Sequence, residues 1–161
     1  MIFDLDPHDK EYSPDKITIM VKYFNESTSK TKGKLYINYP MIEAFYHMRS
    51  IPDHFFETYV ATLTELTAGR YKERVNKENR NGDYQKFASN KMECSIVILQ
   101  NIDKARRLIG TEAEGLALPE QSAILIAQLK QLHIHAQVAV LCTCPFFINE
   151  YNPELIRLDK L

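Results

Sequence analysis

The sequence predicts an α/β fold, with a small, mostly parallel sheet at the N-terminal side and a predominantly helical C-terminal portion. Three observations carry that expectation. Two short apolar runs, Met1–Leu5 and Leu35–Tyr39, break at Pro7 and Pro40 and read as buried strands. Between them Ser13 suits an N-cap and Pro14 a first helical residue, with Ile17, Met20, Val21 and Phe24 following at i, i+3, i+4 and i+7. Strand, helix, strand is the βαβ order, which favours parallel pairing through a right-handed crossover. Beyond Pro40 the apolar period becomes helical.

Taken in order, the polar segment from Asn25 to Lys34 reads as a surface loop. Pro52-Asp53 opens an expected helix bearing Phe55, Phe56, Tyr59, Val60 and Leu63, ending near Gly69. A basic, polar segment then runs from Arg70 to Arg80 and closes at the turn Asn81-Gly82. The longest helical candidate spans Tyr84 to Ile109, with Cys94, Ile98, Ile102, Ala105 and Ile109 on one stripe and Gly110 as its stop. After the loop to Leu118, Pro119-Glu120 begins a helix that faces inward through Leu125, Leu129 and Leu132. Val138 to Leu141 suits a strand by β-branching and a helix by context, and so short a run leaves both open. Neither a repeat nor a low-complexity tract divides the chain. Residues 1–161 therefore form one domain, a βαβ-like part over 1–50 and a mainly helical part over 51–161.

Composition narrows the function classes. A hydrophobic content of 45% is enough for a buried core. Twenty basic residues against twenty-one acidic ones give a net charge of −1, which excludes a chain that is cationic all round. Any surface for phosphate must be local. No apolar run is long enough for a membrane span, and the N-terminus lacks the pattern of a signal peptide, so a cytoplasmic protein without membrane contact is expected. Three cysteines, an odd number, agree with a reducing compartment.

The carboxylates carry the chemistry. Asp4 and Asp6 are two residues apart at a strand end, where alternation places both on one face and within reach of one ion. Glu43 arrives from the second strand-to-helix junction, Asn38-Tyr39-Pro40-Met41-Ile42-Glu43. Magnesium or manganese suits such oxygen donors, since magnesium commonly takes one or two carboxylates and keeps several waters. A bound ion lowers the pKa of an attacking water or stabilises a phosphoryl oxygen. His8 and Asp9 lie just beyond as water-positioning groups. The same Asp-x-Asp before a proline also suits a plain turn, because Asp readily accepts local backbone N–H groups.

Read together, Phe3-Asp4-Leu5-Asp6 and Asn38-Tyr39-Pro40-Met41-Ile42-Glu43-Ala44-Phe45-Tyr46-His47 resemble the later part of the Toprim-like nucleases of bacterial restriction and abortive phage infection systems. The resemblance covers about 50 residues. It implies that Asp4 and Asp6 are metal ligands for magnesium or manganese in phosphodiester cleavage, with Glu43 a further catalytic carboxylate. Val140-Leu141-Cys142-Thr143-Cys144-Pro145-Phe146-Phe147 with Glu150-Tyr151 also resembles tails of phage-defence proteins. Toprim sites include a glutamate on an earlier strand, whereas this chain starts at the Asp-x-Asp strand. A truncated remnant, a fragment completed by a protein partner or second copy, and a homologue that binds without cutting are all consistent with that start. Phe3-Asp4-Leu5-Asp6 is also similar to the first motif of the haloacid dehalogenase superfamily of phosphatases. There one aspartate is the nucleophile and the second a general acid/base. Pro7 and His8 stand where that family expects glycine and threonine, and no Asp-Asp dipeptide is present to supply its distal acidic pair. A non-catalytic interaction domain for protein or nucleic acid is the remaining alternative.

Other residue groups are less specific. His133-x-His135 and Cys142-x-Cys144 supply four soft ligands, but with one-residue spacings unlike usual zinc sites, and cysteines in an apolar run suit a core. Arg70, Lys72, Arg74, Lys77 and Arg80, with Tyr71 among them, form the best local basic patch for a nucleic-acid backbone, and Lys104, Arg106 and Arg107 a second. Both suit solvated helix faces as well. The aromatics Tyr36, Tyr39, Phe45, Tyr46, Phe55 and Phe56 suit either base stacking or the core.

Overall fold

The computed structural model describes residues 1–25, 33–80, 82–111 and 117–156. Most of the expected Asn25–Lys34 loop, Asn81 of the Asn81-Gly82 turn and the middle of the connection to Leu118 lie outside the described residues. The fold is mixed α/β. Strand β1 (Ile2–Asp4), helix α1 (Pro14–Asn25) and strand β2 (Tyr36–Tyr39) follow in the expected order. β1 and β2 pair in parallel, with Ile2 opposite Tyr36, Phe3 opposite Ile37 and Asp4 opposite Asn38. β2 is buried at all four positions, which suits its interior place in the sheet, and α1 buries Ile17 and Val21. A short 3₁₀ helix, Ile42–Tyr46, follows Pro40 and buries Glu43 and Ala44.

Residues 51–69 depart from the expected single helix. The Asp53 carboxylate accepts from the backbone N–H of Arg49 at 2.8 Å and of Phe55 at 2.9 Å, tying this stretch into turns and a 3₁₀ segment, Phe56–Thr58. Val60 and Thr62, both β-branched, then lie in strand β3 (Val60–Thr62), leaving only the short helix α2 (Leu63–Thr67). The basic segment is itself helical: α3 (Tyr71–Glu78) buries Tyr71 and Val75, four residues apart on one face. Helix α4 (Lys91–Ile109) begins later than its periodicity suggests. Ala88 takes a positive φ of 49°, which interrupts any helix from Tyr84, and Asn90 caps the new start by accepting from the Glu93 N–H at 2.9 Å. Gly110 ends α4 in the left-handed conformation, as expected.

Helix α5 (Gln121–His135) leads through Ala136 into strands β4 (Gln137–Ala139) and β5 (Leu141–Cys142), and helix α6 (Phe146–Tyr151) follows. The run left open between strand and helix is thus strand, and it serves two sheets. β4 pairs antiparallel with β3, and β5 pairs antiparallel with β2, Asn38 lying opposite Cys142. The N-terminal sheet, ordered β1-β2-β5, therefore has one parallel and one antiparallel pair, which corrects the expectation of a mostly parallel sheet. The apolar run Val138–Leu141 is buried throughout, and β5 occupies the side of β2 that a further parallel strand would need.

Buried amides fasten the helices to these strands. Gln128 on α5 donates to the Ala139 carbonyl at 2.9 Å and accepts from its N–H at 2.8 Å, acting as a further rung for β4. Asn101 on α4 accepts from the Cys142 N–H at 2.8 Å. Each satisfies a backbone group that burial would otherwise leave costly. Among the described residues no helix is long and apolar enough to cross a membrane.

Candidate functional site

The acidic corner grows from the end of β1. Asn38, fully buried on β2, donates from Nδ2 to Asp4 Oδ1 at 3.0 Å and so orients that carboxylate. Its Oδ1 accepts from the Cys142 thiol at 3.2 Å and from the Cys144 N–H at 3.3 Å, which fixes the amide from the opposite strand. Past Asp4 the chain stays beside β2, with the Leu5 N–H on the Asn38 carbonyl and the Asp6 N–H on the Pro40 carbonyl. Asp6 then takes a positive φ of 41°, a conformation Asp tolerates better than most residues. Asp6 is consequently outside the strand, and strict alternation does not place it. The turn continues as the Asp9 N–H reaches the Asp6 carbonyl at 3.0 Å and Asp9 Oδ1 accepts from the Glu11 N–H at 2.7 Å. The turn reading and the site reading of Asp-x-Asp thus coexist.

Asp4 and Asp6 still converge, because both line one pocket of about 440 Å³ with Asp9, Tyr12 and Met20. Its polar atoms are poorly satisfied. Among the described residues, four buried side-chain polar atoms lack a hydrogen-bond partner: Asp6 Oδ1 and Tyr12 OH in the pocket lining, Tyr39 OH in the core behind it, and Arg74 Nε beside Tyr71. The phenols of Tyr12 and Tyr39 lie near enough for their charges to interact, and Tyr39 directly precedes the proline whose carbonyl holds Asp6. Burial pushes the Asp6 carboxyl above its ordinary range; His8 opposes that shift, while the charges of Asp4, Asp9 and Glu43 add to it. Partnerless oxygens beside repelling carboxylates are the donor set a hard cation satisfies. The described residues contain no group of three or more His, Cys, Asp or Glu side chains arranged to enclose an ion. Two carboxylates with water completing the sphere nevertheless fit magnesium.

Glu43 stands apart from this pocket. It is 6% exposed and pairs with Lys72 of α3 at 2.8 Å. Lys72 was expected to meet nucleic acid, and it instead neutralises the third carboxylate. Arg74 is similarly engaged, with Glu65 at 3.2 Å and the Val60 carbonyl at 2.8 Å, and Arg80 pairs with Glu93. Arg70 and Lys77 are exposed. The basic segment is therefore largely a bracket between elements.

Comparison with family models, curated proteins and solved structures finds no match.

A second polar cluster lies around His47, which is buried at 1% exposure. Nδ1 meets Tyr71 OH at 3.2 Å and Nε2 meets Glu78 at 3.3 Å, while Glu78 pairs with Arg49 at 2.9 Å. Burial, then the Arg74 charge, lowers the His47 pKa to about 4. Tyr59 stacks beside this ring and donates to Asp53 at 2.9 Å. Lys104 of α4 is also buried, with Nζ on the carbonyls of Phe56 at 2.7 Å and Tyr59 at 2.8 Å. Its expected role in a basic patch is thereby replaced by an anchoring one. For zinc the four soft residues do not assemble: His133 and His135 are exposed on α5, whereas Cys142 is buried in β5.

Sequence reasoning missed Asn38 as the residue that orients Asp4. One signal was available, because a lone amide between Ile37 and Tyr39 in a buried strand requires partners. Tyr12 carried none, being one polar aromatic in a charged turn.

Proposed function

We propose that the Asp4–Asp6 corner binds magnesium or manganese and that the chain is a Toprim-like phosphodiesterase module acting on nucleic acid, connected with phage defence. The observation that carries the cation is the presence of Asp6 Oδ1 and Tyr12 OH, both buried without partners, at the pocket that Asp4 and Asp6 line. The link to phage defence rests on the resemblance of the two motifs. Asp4 would hold the ion in the orientation Asn38 sets, and Asp6 would ligate through Oδ1. When bound, such an ion supplies charge stabilisation for a phosphoryl oxygen and a more acidic water. Tyr12, at the pocket wall, offers a hydroxyl to the substrate or to the ion's waters. Exposed Arg70 and Lys77 remain for the polyanion, so binding should depend only weakly on salt. Glu43 would join the site only if Lys72 released it.

The test is cleavage of single- and double-stranded DNA and RNA with magnesium or manganese, comparing wild type with Asp4→Ala and Asp6→Ala. Loss of activity in both variants supports the reading, and equal activity in all three proteins would sink it. One observation favours a second reading as a phosphomonoesterase. The raised pKa of Asp6 suits a general acid beside Asp4 as nucleophile. Turnover of small phosphate esters, lost in Asp4→Ala with no cutting of polynucleotides, would select it. Cation binding without either activity would identify a binding module.

A further inference from the structure

The strongest feature outside the acidic pocket is the thiol pair at the end of β5. Cys142 and Cys144 bring their sulfurs to 3.2 Å across the single residue Thr143. A disulfide needs about 2.05 Å, so closing the bond takes an approach of roughly 1 Å between the sulfurs. The arrangement is fixed from several sides. Thr143 Oγ1 donates to the Ile37 carbonyl at 2.7 Å, the Phe146 N–H returns to the Thr143 carbonyl at 3.0 Å, and the Asn38 amide oxygen receives both the Cys142 thiol and the Cys144 N–H. Cys142 is fully buried, while Cys144 is only half-buried. One thiol is thus reachable from solvent, and the second waits behind it.

The geometry points to Cys142 and Cys144 as a reversible dithiol–disulfide site whose co-reactant is a low-molecular-weight disulfide of the glutathione class. The Cys144 thiolate attacks one sulfur of the glutathione disulfide, forming a mixed disulfide and releasing one glutathione thiolate. Cys142 Sγ then attacks Cys144 Sγ, forming the internal bond and expelling the second glutathione thiolate, which takes up the Cys142 proton. One disulfide is reduced to two thiols as two protein thiols are oxidised to one disulfide. Cys142 donates to Asn38 Oδ1, and either thiol can donate to the other; burial pushes Cys142 up, the contact draws Cys144 down, and Cys144 is also the less buried of the two. Attacker and resolver are thereby distinguished. Oxidation removes the thiol donor from Asn38, which keeps the Cys144 N–H on the same oxygen and Asp4 on its amide nitrogen. The thiol chemistry itself does not depend on a cation at Asp4.

Cys94, the third thiol, donates to the Ala88 carbonyl at 3.0 Å, and Cys94→Ser keeps a hydroxyl there while removing a competing sulfur. In that background the folded protein, treated with millimolar glutathione disulfide, should lose two hydrogens in intact mass, with both sulfurs blocked to alkylation. Excess reduced glutathione should reverse the change. Cys142→Ser should instead hold glutathione on Cys144, and Cys144→Ser should take neither modification. The Cys94→Ser result decides alone should the buried substitution unfold the chain. Persistent glutathionylation without an internal disulfide, or two thiols that stay free until denaturant is added, would overturn the proposal.

Discussion

Two polar clusters in this molecule use the same kinds of side chain to opposite ends. Around Asp53 and His47 the carboxylates, the imidazole and the phenols find partners, and Arg74 Nε, beside the Tyr71 ring, is the one buried polar atom there without one. The Asp53 carboxylate takes two backbone N–H groups and the Tyr59 hydroxyl, and Gln100 pairs with its backbone on both sides. Around Asp6 the carboxylates face one another, and oxygens are buried without partners. The first cluster closes the loop between the 3₁₀ helix and β3, while the second disfavours the ionised form of Asp6 and is where the cation is proposed to bind. A satisfied buried network stabilises the fold, whereas buried oxygens without protein partners leave room for water or an ion.

The largest effect should therefore come from the satisfied cluster. Asp53→Ala leaves the Arg49 and Phe55 N–H groups and the Tyr59 hydroxyl without an acceptor, and should lower stability by on the order of 4 kcal/mol in urea unfolding. A loss below about 1 kcal/mol would show that water replaces the carboxylate freely.

The next effect is a pH dependence. His47 has a folded pKa of about 4, below its ordinary 6.5. Its contribution is fully present above 6.5 and is lost as pH falls from 6.5 towards 4, where the unfolded chain binds a proton that the fold refuses. The change is on the order of 3 kcal/mol, and His47→Gln should flatten that part of the stability–pH curve. An unchanged slope would place the acid sensitivity elsewhere.

In the unsatisfied cluster the sign reverses. The folded pKa of Asp6 is raised, so its ionised form is disfavoured in the fold and costs stability at neutral pH. Asp6→Asn should raise the melting temperature slightly without added metal, and the gain should vanish at low pH, where Asp6 is neutral in both states. A fall at neutral pH would mean that Asp6 is structural.

The smallest effect belongs to Lys72→Met. Lys72 is itself solvent-exposed, so its loss should cost only what the nearly buried Glu43 carboxylate loses with its partner. It releases Glu43, however, and should tighten divalent-cation binding if Glu43 can reach the ion. Unchanged affinity would remove Glu43 from the site.

How much of this was legible in the sequence varies with the origin of each signal. β1, α1 and β2 were readable because apolar period, proline and cap agreed over short distances. The helix expected over 52–69 fails because Asp53 ties the turn and Val60–Thr62 finds a strand partner some eighty residues later, a pairing no local pattern contains. Asp4 and Asp6 were found as chemistry and share a pocket, but Asp6 lies past the strand end at a positive φ, where strand alternation does not place it. Glu43 was found too, but its Lys72 partner depends on how α3 packs. Buried Gln128, Asn101 and Lys104 read as ordinary surface residues of helices until the strands they serve are in place.

The Asp4–Asp6 pocket is proposed to hold a divalent cation. Its most direct test is the thermal midpoint as a function of magnesium or manganese concentration, for wild type and for the Asp4→Ala/Asp6→Asn double variant. Binding to the folded state alone raises the midpoint progressively with free cation. The wild-type midpoint should climb and saturate while the variant's stays flat. Parallel behaviour of the two proteins would contradict the account.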